Sequence, residues 1–307
     1  MPRDHPWCAA GWRSSVSGLR RAVHRGHPPR TPFPMAPQKL KEIAAGRELF
    51  INLTLRELRS KYKRSTLGWA WSLVNPLVTM GTYYLLFSFF LRIAPEVGDP
   101  SGLENFAFFL MCGLLPFTFL SNGVVGGMSS LVGNGNLVKK VYFPREILVG
   151  AITASWLVSF LIELGVLSVA LLFVGNVVLP WIPVILLVVA METMFVLGLA
   201  LMLAVWTVYF RDLEHLTGLV LQIWFYTAPI IIPLYIVKDQ LSGHRWAWVL
   251  YNLNPLMRFV EVYHDLFYSL RMPPAAELGY LFVVSAATLG LGWYVFSRFD
   301  GRLAEEL

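Results

Sequence analysis

The chain has 307 residues, of which 56% are hydrophobic and only 14% charged. A soluble domain carries about 25% charge, so this composition, with a mean hydropathy of +0.58, reads as an all-α integral membrane protein that crosses the bilayer several times. The net charge of +6 is not a nucleic-acid footprint, because the cations cluster beside apolar runs, and two distant cysteines (Cys8 and Cys112) with six unclustered histidines give neither a disulfide framework nor a metal site.

Residues 1–38 read as a disordered tail. Pro2, Pro6, Pro28, Pro29, Pro32, Pro34 and Pro37 interrupt any helix. No apolar h-region is present, so this is not a secretory signal. The alternatives are an organellar transit peptide, or a functional chain that begins at Met35. Residues 39–64 form the next unit. Leu40, Ile43, Ala44, Phe50, Ile51, Leu55 and Leu58 recur at helical spacing between charges, as in a helix lying in the headgroup plane. Its last ten residues, 55–64, hold Arg56, Arg59, Lys61, Lys63 and Arg64 against Glu57 alone.

Residues 65–307 read as one membrane domain of six spans. Residues 65–91 hold no charge and exceed the roughly 20 apolar residues a helical span needs. Asn75-Pro76 predicts a kink, and Trp69, Pro76, Met80, Tyr83, Phe87 and Phe90 share one helical face. A second span is expected over 106–131, with Gly123 and Gly127 four apart, which allows close helix packing. A glycine-rich turn follows at 133–136. The segment 139–146 (KKVYFPRE) presents Val141, Tyr142 and Phe143 among cations, a docking pattern. Spans three and four are expected over 147–174 and 181–208, with Glu163 and Glu192 near mid-membrane, where an ionisable group faces the bundle interior. The reading favoured for both is a protonated or hydrogen-bonded glutamate that locks two helices together; the alternative is a substrate-facing role.

A fifth span is expected over 216–237, containing Pro229 and Pro233. Residues 238–277 are too long for a tight turn and too apolar for a plain loop. Leu256, Phe259, Tyr263 and Phe267 recur at helical spacing there, which predicts short helices lying on, or re-entering, the outer leaflet. The sixth span covers 278–297. With both termini cytoplasmic, inside flanks hold eleven cations (Arg56, Arg59, Lys61, Lys63, Arg64, Lys139, Lys140, Arg145, Arg211, Arg298 and Arg302). Outside loops hold five (Arg92, Lys238, Arg245, Arg258 and Arg271), so the positive-inside rule favours this orientation.

Several runs resemble one family. Residues 57–77 (ELRSKYKRSTLGWAWSLVNPL), 136–148 (NLVKKVYFPREIL), 209–215 (YFRDLEH) and 251–268 (YNLNPLMRFVEVYHDLFY) resemble ABC transporter permeases of the polysaccharide-export type, which move O-antigen, teichoic acid, capsule and related lipid-linked glycans. The resemblance implies a homodimer in a bacterial inner membrane, bound to two copies of a separate ATPase. It implies that Lys139, Lys140, Val141, Tyr142, Phe143, Pro144, Arg145 and Glu146 couple to that ATPase. Arg56, Arg59, Lys61, Lys63 and Arg64 would then recruit a polyprenyl-pyrophosphate head group by pairing its phosphate oxygens. Trp69, Tyr83, Phe87, Phe90, Phe225 and Tyr226 would line a channel for the sugar chain, and Phe259, Tyr263 and Phe267 would belong to gate helices. A cell-wall galactan is one candidate glycan.

The sequence holds no G-x-x-x-x-G-K-[ST] loop, so ATP and its magnesium are expected on the partner; no cofactor is expected on this chain. The alternatives are an ABC permease for a small molecule or drug, a membrane-embedded enzyme, and a scaffold without transport. An enzyme would need catalytic groups clustered at one depth, which Glu163, Glu192 and the scattered histidines do not supply.

Overall fold

The computed structural model describes residues 46–61, 71–90, 97–140, 143–241, 243–301 and 303–306. Among the sequence-predicted positions, the tail, Lys63, Arg64, Trp69, Val141 and Tyr142 lie outside these residues. Every regular element among the described residues is helical. Helix α1 (Arg47–Lys61) is followed by α2 (Trp71–Tyr83), which continues as a π-helical stretch, Tyr84–Phe90. Then come α3 (Phe106–Gly133), the short α4 (Gly135–Lys140), α5 (Glu146–Phe173) and α6 (Ile182–Tyr209). The second half holds α7 (Leu213–Thr227), α8 (Leu234–Gln240), α9 (Arg245–Asn252), α10 (Pro255–Tyr263), α11 (Ala275–Phe299) and α12 (Leu303–Glu306).

Four of these are long and apolar enough to cross a membrane: α3, α5, α6 together with its leading turn, and α11. Their outward faces carry exposed Leu161, Val169, Phe173, Leu186, Leu187, Phe282, Val283 and Leu291. Apolar faces of this kind belong against lipid, and the chain is a multi-pass membrane protein.

Local chemistry sets the helix ends. Asn105 caps α3 by accepting from the Ala107 amide at 3.0 Å. At the other end of α3, the glycine-rich residues expected as a turn break only briefly, and α4 starts at Gly135. The expected fifth span is not one helix. Ala228 precedes Pro229 and is extended (φ −92°, ψ 151°), so α7 stops at Thr227 and helix resumes only at Leu234. A residue before proline is pushed out of the helical region, which accounts for the break.

Helix α6 is the centre of the bundle, with α3 and α11 laid closely against it. A Cβ on Gly123 would lie 2.6 Å from Val196, and one on Gly127 2.6 Å from Ala200. On the other side, a Cβ on Gly198 would meet the Thr288 carbonyl at 2.5 Å, and one on Gly292 would overlap the Gly198 carbonyl oxygen. Two buried clusters result. One holds stacked rings, with Phe119 and Phe160 4.8 Å apart. The other joins Leu53, Leu131, Val138, Leu148, Val205, Phe296 and Leu303.

Because a backbone carbonyl cannot rotate away as a side chain can, Gly198→Ala is expected to lower stability by at least the 1–3 kcal/mol typical of overpacking. Gly165→Ala, which meets nothing within 4 Å, should leave the melting temperature of the detergent-purified protein unchanged. Equal melting temperatures for the two variants would contradict the close crossing.

Candidate functional site

The cations of α1 divide by direction. Arg56 and Arg59 are exposed. Arg56 donates to Glu57 at 2.9 Å and to Asn134 Oδ1 at 2.8 Å. Asn134 in turn donates to the Ser130 carbonyl at 2.9 Å and directly precedes α4. Lys61 points inward instead. It donates to Ser159 Oγ at 3.1 Å and to the Ser155 carbonyl at 3.3 Å, with its ammonium 3.3 Å from the Trp156 ring centroid. Among the described members of the predicted recruitment set, two therefore face solvent and one grips α5.

The predicted coupling segment sits at the same end. Lys139 and Lys140 are exposed on the last turn of α4. Phe143 packs partly against the second buried cluster, and Glu146 is buried at the start of α5. Arg145 pairs with Asp300 at 3.2 Å and also donates to the Asp300 backbone carbonyl, so the segment is tied to the end of α11. Asp300 carries no sequence signal of this role beyond lying just past the last apolar run.

The predicted channel aromatics are scattered by the fold. Tyr83 and Phe87 lie 6.0 Å apart, and Phe87 packs on Phe106 of α3 at 4.5 Å. Phe225 packs on Phe117 of α3 at 4.9 Å. Phe90 and Tyr226 project outward, 71% and 66% exposed. Within one subunit, then, Tyr83, Phe87 and Phe225 buttress α3, while Phe90 and Tyr226 have free faces.

The predicted gate helices differ from a pair resting on a surface. Helix α9 is open, with Trp246, Val249 and Leu250 exposed, whereas α10 and the π-helical stretch that continues it, His264–Ser269, are sunk into the bundle: Phe259, Tyr263 and Phe267 are essentially fully buried. An apolar helical face appears identical in sequence whether lipid or protein covers it. Tyr263 donates to Glu192 Oε2 on α6 at 2.7 Å, the helix lock expected of that glutamate. Glu192 Oε1 has no partner among the described residues. Nearby, Arg271 closes on Asp265 at 2.7 Å. Burial raises Asp265 above the usual carboxylate range, and the bond and charge of Arg271 oppose that shift.

Residues 48–268 match the ABC-2 type transporter family. The chain belongs to that family. It is 32% identical over 266 residues to the O-antigen export system permease protein RfbA of Myxococcus xanthus, covering 87% of this chain and 96% of the relative. Identity to the protein of the same name from Klebsiella pneumoniae is 26%, over 85% of this chain and 95% of the relative. The polysialic acid transport protein KpsM of Escherichia coli is 24% identical, over 78% and 89%. The ABC-2 match contains every sequence-predicted site residue, from Arg56 to Phe267, and ends at Tyr268, before α11.

For this ABC-2 chain, Tyr263→Phe removes the hydroxyl bonded to Glu192 and leaves a buried carboxyl without that donor. An unsatisfied buried polar group costs about 1–3 kcal/mol. The expected outcome is a lower melting temperature of the detergent-purified protein; an unchanged melt would show that the bond contributes nothing.

Proposed function

We propose that this chain is the membrane subunit of an ATP-driven exporter in a bacterial inner membrane. Its cargo is a polysaccharide of the O-antigen, teichoic acid or cell-wall galactan class, linked to a polyprenyl pyrophosphate. The cargo moves from the cytoplasmic to the outer side. The chain works as a homodimer with two copies of a separate ATPase, which bind ATP and magnesium. The family membership and the roles for which the relatives are named support this reading. Cation asymmetry supports a cytoplasmic location for the end that holds Arg56 and Lys139.

One observation carries the reading. The 2.8 Å bond from Arg56 to Asn134 places the α1 cations beside α4 and the segment it opens. Head-group capture and ATPase docking are thus neighbours at one end of the molecule. A pyrophosphate held by Arg56 and Arg59 would form charge-assisted bonds, roughly twice as strong as neutral ones. The exposed Phe90 and Tyr226 faces then suit a sugar chain that slides on many weak contacts, because one deep well would stall it.

Replacing Tyr142 and Phe143 together by Ala is expected to abolish copurification of the ATPase, or to uncouple its hydrolysis from export. Normal complex yield with normal export would remove the coupling role of residues 139–146. Separately, Arg56→Gln with Arg59→Gln should leave membrane insertion intact and strand the lipid-linked glycan on the cytoplasmic side. Export at the wild-type level in that variant would reduce the cations to an anchor.

A further inference from the structure

A cavity of about 540 Å³ opens between α1, α2, α3 and α5, and its polar wall is made by Lys61, Thr79, Asn122, Trp156, Ser159 and Glu163. Its size falls in the ~300–1,000 Å³ range of small-molecule pockets. It lies within the apolar helices, where polar side chains are costly unless they serve a partner. Lys61 donates to Ser159, its ammonium covers the Trp156 face, and its charge also acts on Glu163. The Glu163 carboxyl, the Asn122 amide and the Thr79 hydroxyl have no hydrogen-bond partner among the described residues. These three offer both acceptors and donors. The cation and the carboxyl share the cavity, so it favours neither an anion nor a cation. The complementary ligand is neutral and rich in hydroxyl groups.

Position narrows it further. Lys61 is five residues beyond Arg56, about 7.5 Å along a helix, and it turns inward onto α5 where Arg56 and Arg59 face out. A sugar on a pyrophosphate held by Arg56 and Arg59 would have to reach past the end of α1, which Lys61 closes, to enter the cavity. We propose that this cavity binds the sugar unit attached directly to the pyrophosphate, with Glu163, Asn122 and Thr79 as its hydrogen-bonding wall. This rests on the head-group reading above, and it adds a site within each subunit, separate from the aromatic faces of Phe90 and Tyr226. Such a site would check that the lipid carries a sugar before the chain is moved.

The test uses the whole permease–ATPase complex in nanodiscs and two probes: polyprenyl pyrophosphate, and the same lipid bearing one N-acetylhexosamine. The wild type is expected to bind the sugar-bearing lipid about tenfold more tightly, the scale set by polar groups that lose their partners. Asn122→Leu and Glu163→Met should each erase that preference while the bare lipid binds as before. Should Asn122→Leu lower the yield of complex, Glu163→Met and Thr79→Val, which keep side-chain size and remove the hydrogen-bonding groups, read the same difference. A preference that survives in Glu163→Met and Thr79→Val overturns the assignment. Equal binding of both probes by the wild type overturns it while leaving head-group capture standing. Binding of neither probe overturns both.

Discussion

The bundle depends on how closely two helices approach α6. In lipid, burial of apolar surface does not drive one helix onto another, and association rests on close packing and interhelical hydrogen bonds. Gly123 and Gly127 bring α3 against Val196 and Ala200; Gly198 and Gly292 bring α11 against the α6 backbone. With both sides of α6 so occupied, Glu192 is left on a turn facing α10, where the Tyr263 hydroxyl meets it. The buried position of α10 follows from that arrangement. A larger residue at any of these glycines would push α3 or α11 outward and loosen the seat of α10.

The same packing connects the two ends of the molecule. Arg145 holds the segment 139–146 to Asp300 at the end of α11. Helix α11 crosses α6 at Gly198 and Gly292, and α6 carries Glu192 to Tyr263 on α10. A displacement at residues 139–146 therefore meets a series of direct contacts rather than a gap. Packed interfaces resist continuous deformation, so a movement of α11 relative to α6 would have to occur as a shift of the whole helix. Helix α1 joins the same end through Arg56 and Asn134 and then runs along α5, with Phe50 close to Gly150.

Much of this was legible in the sequence, and the departures have physical reasons. The uncharged runs gave α3, α5, α6 and α11 to within a few residues, because length and apolarity alone set a span. Gly123 and Gly127 were readable because spacing of four places them on one face. The proline pair at Pro229 and Pro233 was visible, yet the extent of the break at 228–233 depends on backbone geometry that hydropathy does not register. Lys61 looked like its neighbours Arg56 and Arg59; only the fold shows that it lies against Trp156 and Ser159. Asn122 and Thr79 lie inside uncharged stretches, where a polar group within an apolar run is itself a signal.

The distal end shows what a buried, broken backbone requires. Irregular chain at membrane depth is tolerated only where protein satisfies its polar groups. Here several of these groups have partners among the described residues. Asn254 caps α10 by accepting from the Leu256 amide at 3.1 Å, and the same oxygen accepts from the Trp224 indole at 2.7 Å, which ties α7 to α10. At the far end of α10, the Tyr268 carbonyl accepts from Ser101 at 2.6 Å and from buried Asn176 at 3.2 Å. Leu270 turns the chain with a left-handed φ of 58°, and the Arg271 amide returns to the Asp265 carbonyl at 2.9 Å. A helix resting on a bilayer surface would have water for these groups and would need no such set of side chains. Asn176, Asn254 and Ser101 are therefore explained by α10 sitting inside the bundle, and any opening there must break these bonds together with the Tyr263–Glu192 contact.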